Sequence, residues 1–272
     1  MRSESVTEHA VQTGNRTLPY YLMSPDKERI HENPYVLLTF AMDWNTSLCQ
    51  EPFCLVAQKF VQHGHYAISF DLPGHGARLN ELGEEGLHGF SQAVQEERDP
   101  FLSFLEEAGS IIDKVIEEKL VKPGHIIVSG TSRGGYMALR LLAADARVVK
   151  GGAFAPVTDW NDLAEFSAIQ STELVNRLRL SHYIDGMINK PVFIAIGNHD
   201  TRVNTWSCCK FALQLAERTQ HSGEMDTQKD AQIDFYCTDD EGHTMGTSWY
   251  EKGAEFLLQS SIQSDQGEQL KS

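Results

Sequence analysis

The 272-residue sequence has no apolar run approaching the roughly 18 residues of a membrane-spanning helix. Its start, Met1-Arg2-Ser3-Glu4-Ser5-Val6-Thr7-Glu8-His9, lacks the apolar stretch of a signal peptide. Neither export nor membrane insertion is expected. Positive charge is scarce: 23 Lys and Arg stand against 38 Asp and Glu, a net charge of -15. A nucleic-acid partner is excluded on that ground, because phosphate-backbone binding needs a cationic surface that releases counterions. Cysteine is sparse and odd in number, five residues with Cys208 and Cys209 adjacent, so no disulfide framework is expected. Reduced thiols in the cytoplasm fit this usage, and the cysteine spacing makes no metal site. Internal repeats are absent too.

What is present is ordinary for a globular chain: 41% hydrophobic and 22% charged residues, with enough length for one large domain. Short apolar runs at 35–40, 66–70, 126–128, 191–196 and 233–237 read as strands. Most are continuously apolar rather than alternating, as strands covered on both faces are. Between them, 51–62, 99–119, 133–145, 206–218 and 247–259 read as helices. In the second of these, Phe101, Phe104, Leu105, Ala108, Ile111, Ile112, Val115 and Ile116 recur at three- and four-residue steps, the signature of one buried face. The alternation predicts an α/β fold with a mostly parallel sheet and helices on both faces. Two further strands are expected at 6–11 and 17–23. A polar, glycine-containing stretch at 80–97 breaks the rhythm. So does 159–190, which carries its own helical pattern and reads as a small cap inserted into a single domain over 1–272. Residues 260–272 form a polar tail.

The chemistry concentrates at Gly130-Thr131-Ser132-Arg133-Gly134, which follows a predicted strand and opens a predicted helix. A serine on so sharp a turn needs small flanking residues, which Gly130 and Gly134 supply, and its hydroxyl then points outward. The helix start also sets the Arg133 amide N–H beside Ser132, where negative charge would develop on a tetrahedral intermediate. A serine needs a base, and the base needs a group that fixes its tautomer. On strand-turn-helix scaffolds of this kind the order is Ser, acid, His. Asp200, in Gly197-Asn198-His199-Asp200-Thr201-Arg202-Val203 after the strand at 191–196, is the expected acid. His243, in Asp239-Asp240-Glu241-Gly242-His243 after the strand at 233–237, is the expected base. His199 reads as a wall residue. Asp239, Asp240 and Glu241 read as a solvated acidic turn.

Ser132-Arg133-Gly134-Gly135-Tyr136-Met137, with Ala155-Pro156-Val157-Thr158-Asp159-Trp160, resembles the catalytic domain of the prolyl oligopeptidase family and is similar to dienelactone-hydrolase-like esterases. Asp71-Leu72-Pro73-Gly74-His75-Gly76-Ala77-Arg78 resembles the loop after the fourth strand of many α/β-hydrolases. The likeness spans 35 to about 258. It implies the α/β-hydrolase fold and cleavage of a small-molecule acyl substrate through an acyl-enzyme, with no metal and no organic cofactor. One departure is that Thr39-Phe40-Ala41-Met42-Asp43-Trp44 stands where many members carry His-Gly. The second oxyanion N–H is assigned to Met42. No β-propeller is read ahead of the hydrolase region, which favours a free-standing carboxylesterase over a peptidase. A thioesterase and a non-catalytic binding protein of the same fold remain the rivals.

The side chain of Arg133 has two readings, a fork for a substrate carboxylate or a partner for a neighbouring acid. His75 and Arg78 are expected to brace their loop. Trp44, Trp160 and Trp206 read as core aromatics, with an apolar acyl pocket as the alternative. Cys208 reads as a buried small hydrophobe.

Overall fold

The computed structural model describes residues 5–170, 172–221, 232–243 and 246–259. The tail expected over 260–272 lies outside the described residues. In chain order the elements are β1 (Val6–Thr13), β2 (Arg16–Met23), β3 (Val36–Phe40), α1 (Trp44–Cys49), α2 (Leu55–Gln62), β4 (Tyr66–Ser69), α3 (Gly86–Gln95), α4 (Pro100–Glu117), β5 (Ile126–Thr131), α5 (Arg133–Ala144), β6 (Val148–Phe154), α6 (Glu173–Arg177), β7 (Val192–His199), α7 (Thr205–His221), β8 (Ile233–Glu241) and α8 (Thr247–Gln259).

All eight strands join one sheet in the order β1-β2-β4-β3-β5-β6-β7-β8. From β4 to β8 the neighbours run parallel, and the β1-β2 hairpin adds the antiparallel edge. The five residues of β3, the four of β4 and the six of β5 are all buried, which is why their sequences are apolar without alternation. Helices cover both faces. Gly151 and Gly152 are consecutive in β6 and so face opposite ways: a Cβ on Gly151 would meet Leu142 and Leu139 of α5, and one on Gly152 would meet Leu257 of α8.

β6 is absent from the sequence expectations because Val148-Val149-Lys150-Gly151-Gly152-Ala153-Phe154 does not read as an apolar run. The two glycines let the helices approach, since a Cβ at Gly151 would lie 2.8 Å from Leu142 Cδ2. Lys150 is buried, and its Nζ donates to the carbonyls of Phe256 at 2.5 Å and Leu257 at 3.3 Å, satisfying orphan acceptors at the end of α8. Burial without a counterion lowers its ammonium to a pKa of about 8.

Also missed are the short α1 at Trp44–Cys49 and α3, inside the polar stretch at 80–97. Buried Leu87, Phe90, Ala93 and Val94 of α3 are interleaved with Gly86, His88 and Gly89, which blur the helical period. Phe90 stacks on Phe101 with ring centres 5.3 Å apart, and Phe101 in turn packs against Trp160 and Tyr136, each at 4.9 or 4.8 Å. Trp160 and Phe166 thereby bring the 159–190 segment into the main core. That segment is built mainly of short 3-10 turns, Trp160–Asp162, Ala164–Ile169 and Leu180–Gly186, around α6.

The predicted helix at 51–62 starts only at Leu55, and α1 before it is capped by Asp43, whose carboxylate accepts the Thr46 N–H at 2.7 Å. Trp206 corrects both readings of that residue, because it is 81% exposed on α7 and is neither core nor pocket.

His65 is buried beside the rings of His31, Tyr35 and Phe60, and its Nδ1 accepts the Tyr35 N–H at 3.3 Å. Burial, with the nearby histidines, pushes its pKa down from 6.5 to about 4. In the window between those values the unfolded chain binds the proton and the folded chain does not, so this site's share of stability is lost as pH falls from 6.5 toward 4. His65→Gln is expected to be less acid-sensitive than the parent, by on the order of 2 kcal/mol at pH 4. Urea midpoints at pH 7, 5 and 4 test this, and parallel curves for the two proteins would refute it.

Candidate active site

The carboxyl ends of β3, β5, β7 and β8 supply the site. Ser132 stands between β5 and α5 with φ 56° and ψ -119°, a conformation that costs a non-glycine residue about 1–3 kcal/mol. Three backbone bonds hold it there: its N–H donates to Phe154 at 2.8 Å, and its carbonyl accepts from Tyr136 and Val157, both at 3.1 Å. The flanking glycines are obligatory. A Cβ on Gly130 would lie 2.2 Å from the Gly134 oxygen, and a Cβ on Gly134 would lie 2.1 Å from the Phe40 oxygen.

The expected base and acid meet the serine. His243 Nε2 lies 3.1 Å from Ser132 Oγ, and its Nδ1 lies 2.6 Å from Asp200 Oδ2. The imidazole is partly exposed, whereas the Asp200 side chain has 0% exposure. The other carboxylate oxygen of Asp200 accepts the N–H groups of Arg202 at 2.9 Å and Val203 at 3.1 Å. These contacts assign the Nδ1–H tautomer of His243, which leaves Nε2 to accept the serine proton. His199, two-thirds exposed and 3.5 Å from Asp239, points to solvent instead.

Arg133 is the first residue of α5, so its N–H has no acceptor within the helix. Met42 follows β3 in a tightly wired loop. The Ala41 N–H is taken by Ser47 Oγ at 2.9 Å, and the Ser47 hydroxyl donates to the Asp43 carbonyl at 2.8 Å. The Ala41 N–H is thus committed within the loop, while the Met42 carbonyl accepts the Leu72 N–H at 3.1 Å. Buried Asp71 fastens the same loop to its neighbour, one oxygen accepting from Trp44 N at 3.0 Å and the other from Ala77 N at 2.8 Å. Neither Ala41 nor Met42 takes a positive φ, so this loop needs no glycine where the His-Gly pair would stand.

A cleft of about 360 Å³ opens at Arg133, the residue that follows the serine. Gly74, His75, Leu79 and the residues from Glu85 to His88 form one wall, Glu165 and Arg202 the other, with Arg133 between them. His75 Nδ1 donates to the Pro73 carbonyl at 3.0 Å, and Nε2 accepts from Arg133 Nη1 at 2.5 Å. Burial, then the adjacent guanidinium, lowers His75 to a pKa of about 4, so the ring is neutral at physiological pH. Arg78 reaches the Asp71 carbonyl at 2.9 Å and buried Glu107 at 2.8 Å, bracing the loop as expected. Across the cleft, Arg202 holds both oxygens of Glu165, at 2.8 and 2.5 Å. Glu165 was outside the sequence expectations, since nothing local marks it. Cys208 is fully buried at the far side of the Asp200 loop, and burial pushes its thiol well above the ordinary range, which makes it a poor nucleophile. Among the described residues no cluster of three or more His, Cys, Asp or Glu could hold a metal ion.

Gly134→Ala should force α5 away from β3 and destabilise the fold by about 1–3 kcal/mol or more, the range for overpacking a tight contact. Thermal melting reads this directly, and an unchanged melting temperature would show that the two backbones do not need their close approach.

The sequence profile of the prolyl oligopeptidase family matches residues 105–261. Curated protein sequences give no match. Among solved structures, the acylaminoacyl peptidase of Pyrococcus horikoshii superposes with a TM-score of 0.68 at 10% identity, over 94% of this chain and 40% of the peptidase. A Thermus thermophilus protein gives 0.67 at 17% identity, over 94% of this chain and 98% of its own. An esterase of Pyrococcus furiosus gives 0.62 at 18%, with 94% and 91% covered. At such identities the likeness is one of fold, the α/β-hydrolase fold, and the chain spans well under half of the peptidase. The family profile covers more than half of the chain, with Ser132, Asp200 and His243 all inside it. The chain belongs to the prolyl oligopeptidase family.

Proposed function

We propose that the protein is a serine hydrolase that cleaves small carboxylic esters through an acyl-enzyme. The observation that carries this reading is the bridging imidazole, 3.1 Å from the Ser132 hydroxyl and 2.6 Å from the Asp200 carboxylate. Ser132 Oγ attacks the acyl carbon as its proton passes to His243 Nε2. Asp200 stabilises the resulting imidazolium through Nδ1–H. The Met42 and Arg133 amides receive the oxyanion. His243 then returns the proton to the leaving alkoxide, and water repeats the sequence to release the carboxylic acid. A cleft of about 360 Å³ suits a small acyl group, at the lower end of ordinary ligand pockets. The Pyrococcus furiosus esterase, matched over nearly all of its length, supports an ester in preference to a peptide.

The second reading is amide cleavage, which the family and the acylaminoacyl peptidase likeness favour. The same serine, histidine and aspartate would serve, with His243 protonating an amine.

Fluorophosphonate labelling and p-nitrophenyl ester turnover are expected in the parent and absent in Ser132→Ala. Asp200→Asn should stay folded and lose about 10³–10⁴-fold in kcat, the cost of the wrong imidazole tautomer. Folded parent protein that neither labels nor turns over short esters would transfer the assignment to a non-catalytic binding protein. Faster cleavage of matched acylated amino-acid amides than of esters would favour the peptidase.

A further inference from the structure

Among the described residues Arg133 makes no ion pair with a carboxylate, and Glu165 acts on it only at a distance. The arginine side chain is largely buried, burial and the nearby Arg202 lower its pKa to about 10, and its Nε has no acceptor. Among the described residues its one hydrogen-bond partner is His75, which is neutral. Glu165 is the nearest candidate counterion, and both of its oxygens are spoken for by Arg202. A guanidinium desolvated in this way, with a neutral orienting partner and no carboxylate, gains strongly from an anion that completes it.

Room for that anion exists. Gly86, at φ +54°, faces the guanidinium, and a Cβ there would lie 3.2 Å from Arg133 Nη1 and 3.7 Å from His75 Nε2. The absence of a side chain keeps the face of the fork open to the cleft that Arg133 lines. Arg133 directly follows Ser132, and Arg202, which lines the same cleft, donates its backbone N–H to Asp200, so the cleft adjoins the Ser132 and Asp200 loops and is in reach of a second group on the molecule being cleaved.

We propose that the Arg133 side chain receives a free carboxylate on the substrate, so that the favoured substrates are half-esters of dicarboxylic acids. This rests on the esterase reading and specifies its substrate class. His75 then acts as a positioning residue: its Nδ1–H is fixed by Pro73, and its Nε2 holds one arm of the fork in place while the planar guanidinium pairs with both carboxylate oxygens. An arginine is required because an ammonium offers the charge without the planar two-point geometry.

The test compares the monoethyl esters of succinic, glutaric and adipic acids with ethyl butyrate, ethyl pentanoate and ethyl hexanoate. At least one half-ester should exceed its uncharged partner by about 10–100-fold in kcat/KM, mostly through KM, as a charge-assisted hydrogen-bonded pair predicts. In Arg133→Gln that ratio should collapse to about one or below, whatever happens to the absolute rates, and Arg133→Lys should keep only part of it. A ratio near one in the parent, or a ratio unchanged in Arg133→Gln, overturns the proposal. A second measurement is independent of turnover: calorimetric titration of folded Ser132→Ala with succinate, glutarate and adipate, repeated in the Ser132→Ala/Arg133→Gln protein. Binding that disappears with Arg133 sustains the carboxylate site even if no ester is hydrolysed, which would then count against the esterase reading alone. No binding by folded Ser132→Ala, together with no half-ester preference, sinks the inference and leaves the esterase reading standing on its own labelling result.

Discussion

The close approach of two backbones at the head of α5 governs the rest of the site. Gly134 lies against the Phe40 carbonyl and Gly130 against Gly134 itself, with no space for a Cβ at either position. That contact docks the helix between the ends of β3 and β5 and leaves Ser132 nowhere to go but a positive φ. The strained backbone is held by bonds to Phe154, Tyr136 and Val157, so the serine is presented outward by a rigid scaffold rather than by a mobile loop. The same docking brings the first amide of α5 up to the loop that follows β3.

Electrostatics divides the site into a balanced half and an unbalanced one. Asp200 is wholly buried, yet its oxygens meet the imidazole and two backbone N–H groups, with the Arg202 guanidinium near enough to interact with its charge. Arg202 illustrates the economy of the arrangement: its N–H serves Asp200 while its guanidinium crosses to Glu165 on the opposite wall. Asn204 adds a second link to that wall, donating to Asp162 at 2.9 Å. In this site the Arg133 guanidinium makes no ion pair among the described residues.

The sequence announces the parts of this structure that depend on local chemistry. Ser132 was visible because its turn demands glycines at fixed offsets, and Asp200 and His243 because each follows a short apolar run that reads as a strand, buried in β7 and half-exposed at the sheet edge in β8. The N-terminal hairpin was visible at Val6–Thr13 and Arg16–Met23 through similar short runs. What stayed hidden depends on contacts distant in the chain. β6 escaped notice because its glycines answer to Leu142 and Leu257, and its lysine to carbonyls more than a hundred residues away. α3 was obscured by the glycines through which it packs. The pairing of Arg133 with neutral His75 joins residues 58 apart and obeys no local pattern, so the two sequence readings of Arg133 could be weighed only in three dimensions.

Glu107, on α4 and 2% exposed, has a further consequence for the cleft. Arg78 from the His75 loop and Arg16 from the hairpin both close on it. Lifting that loop would take Arg78 away from a carboxylate in the interior and leave Arg16 as its remaining partner. The opposite wall is held by the more exposed pair of Arg202 and Glu165, and also by Trp160 and Phe166 in the core and by the Ser91 hydroxyl on the Glu165 carbonyl. Both jambs of the cleft are thus tied into the interior, one by charge and the other by rings.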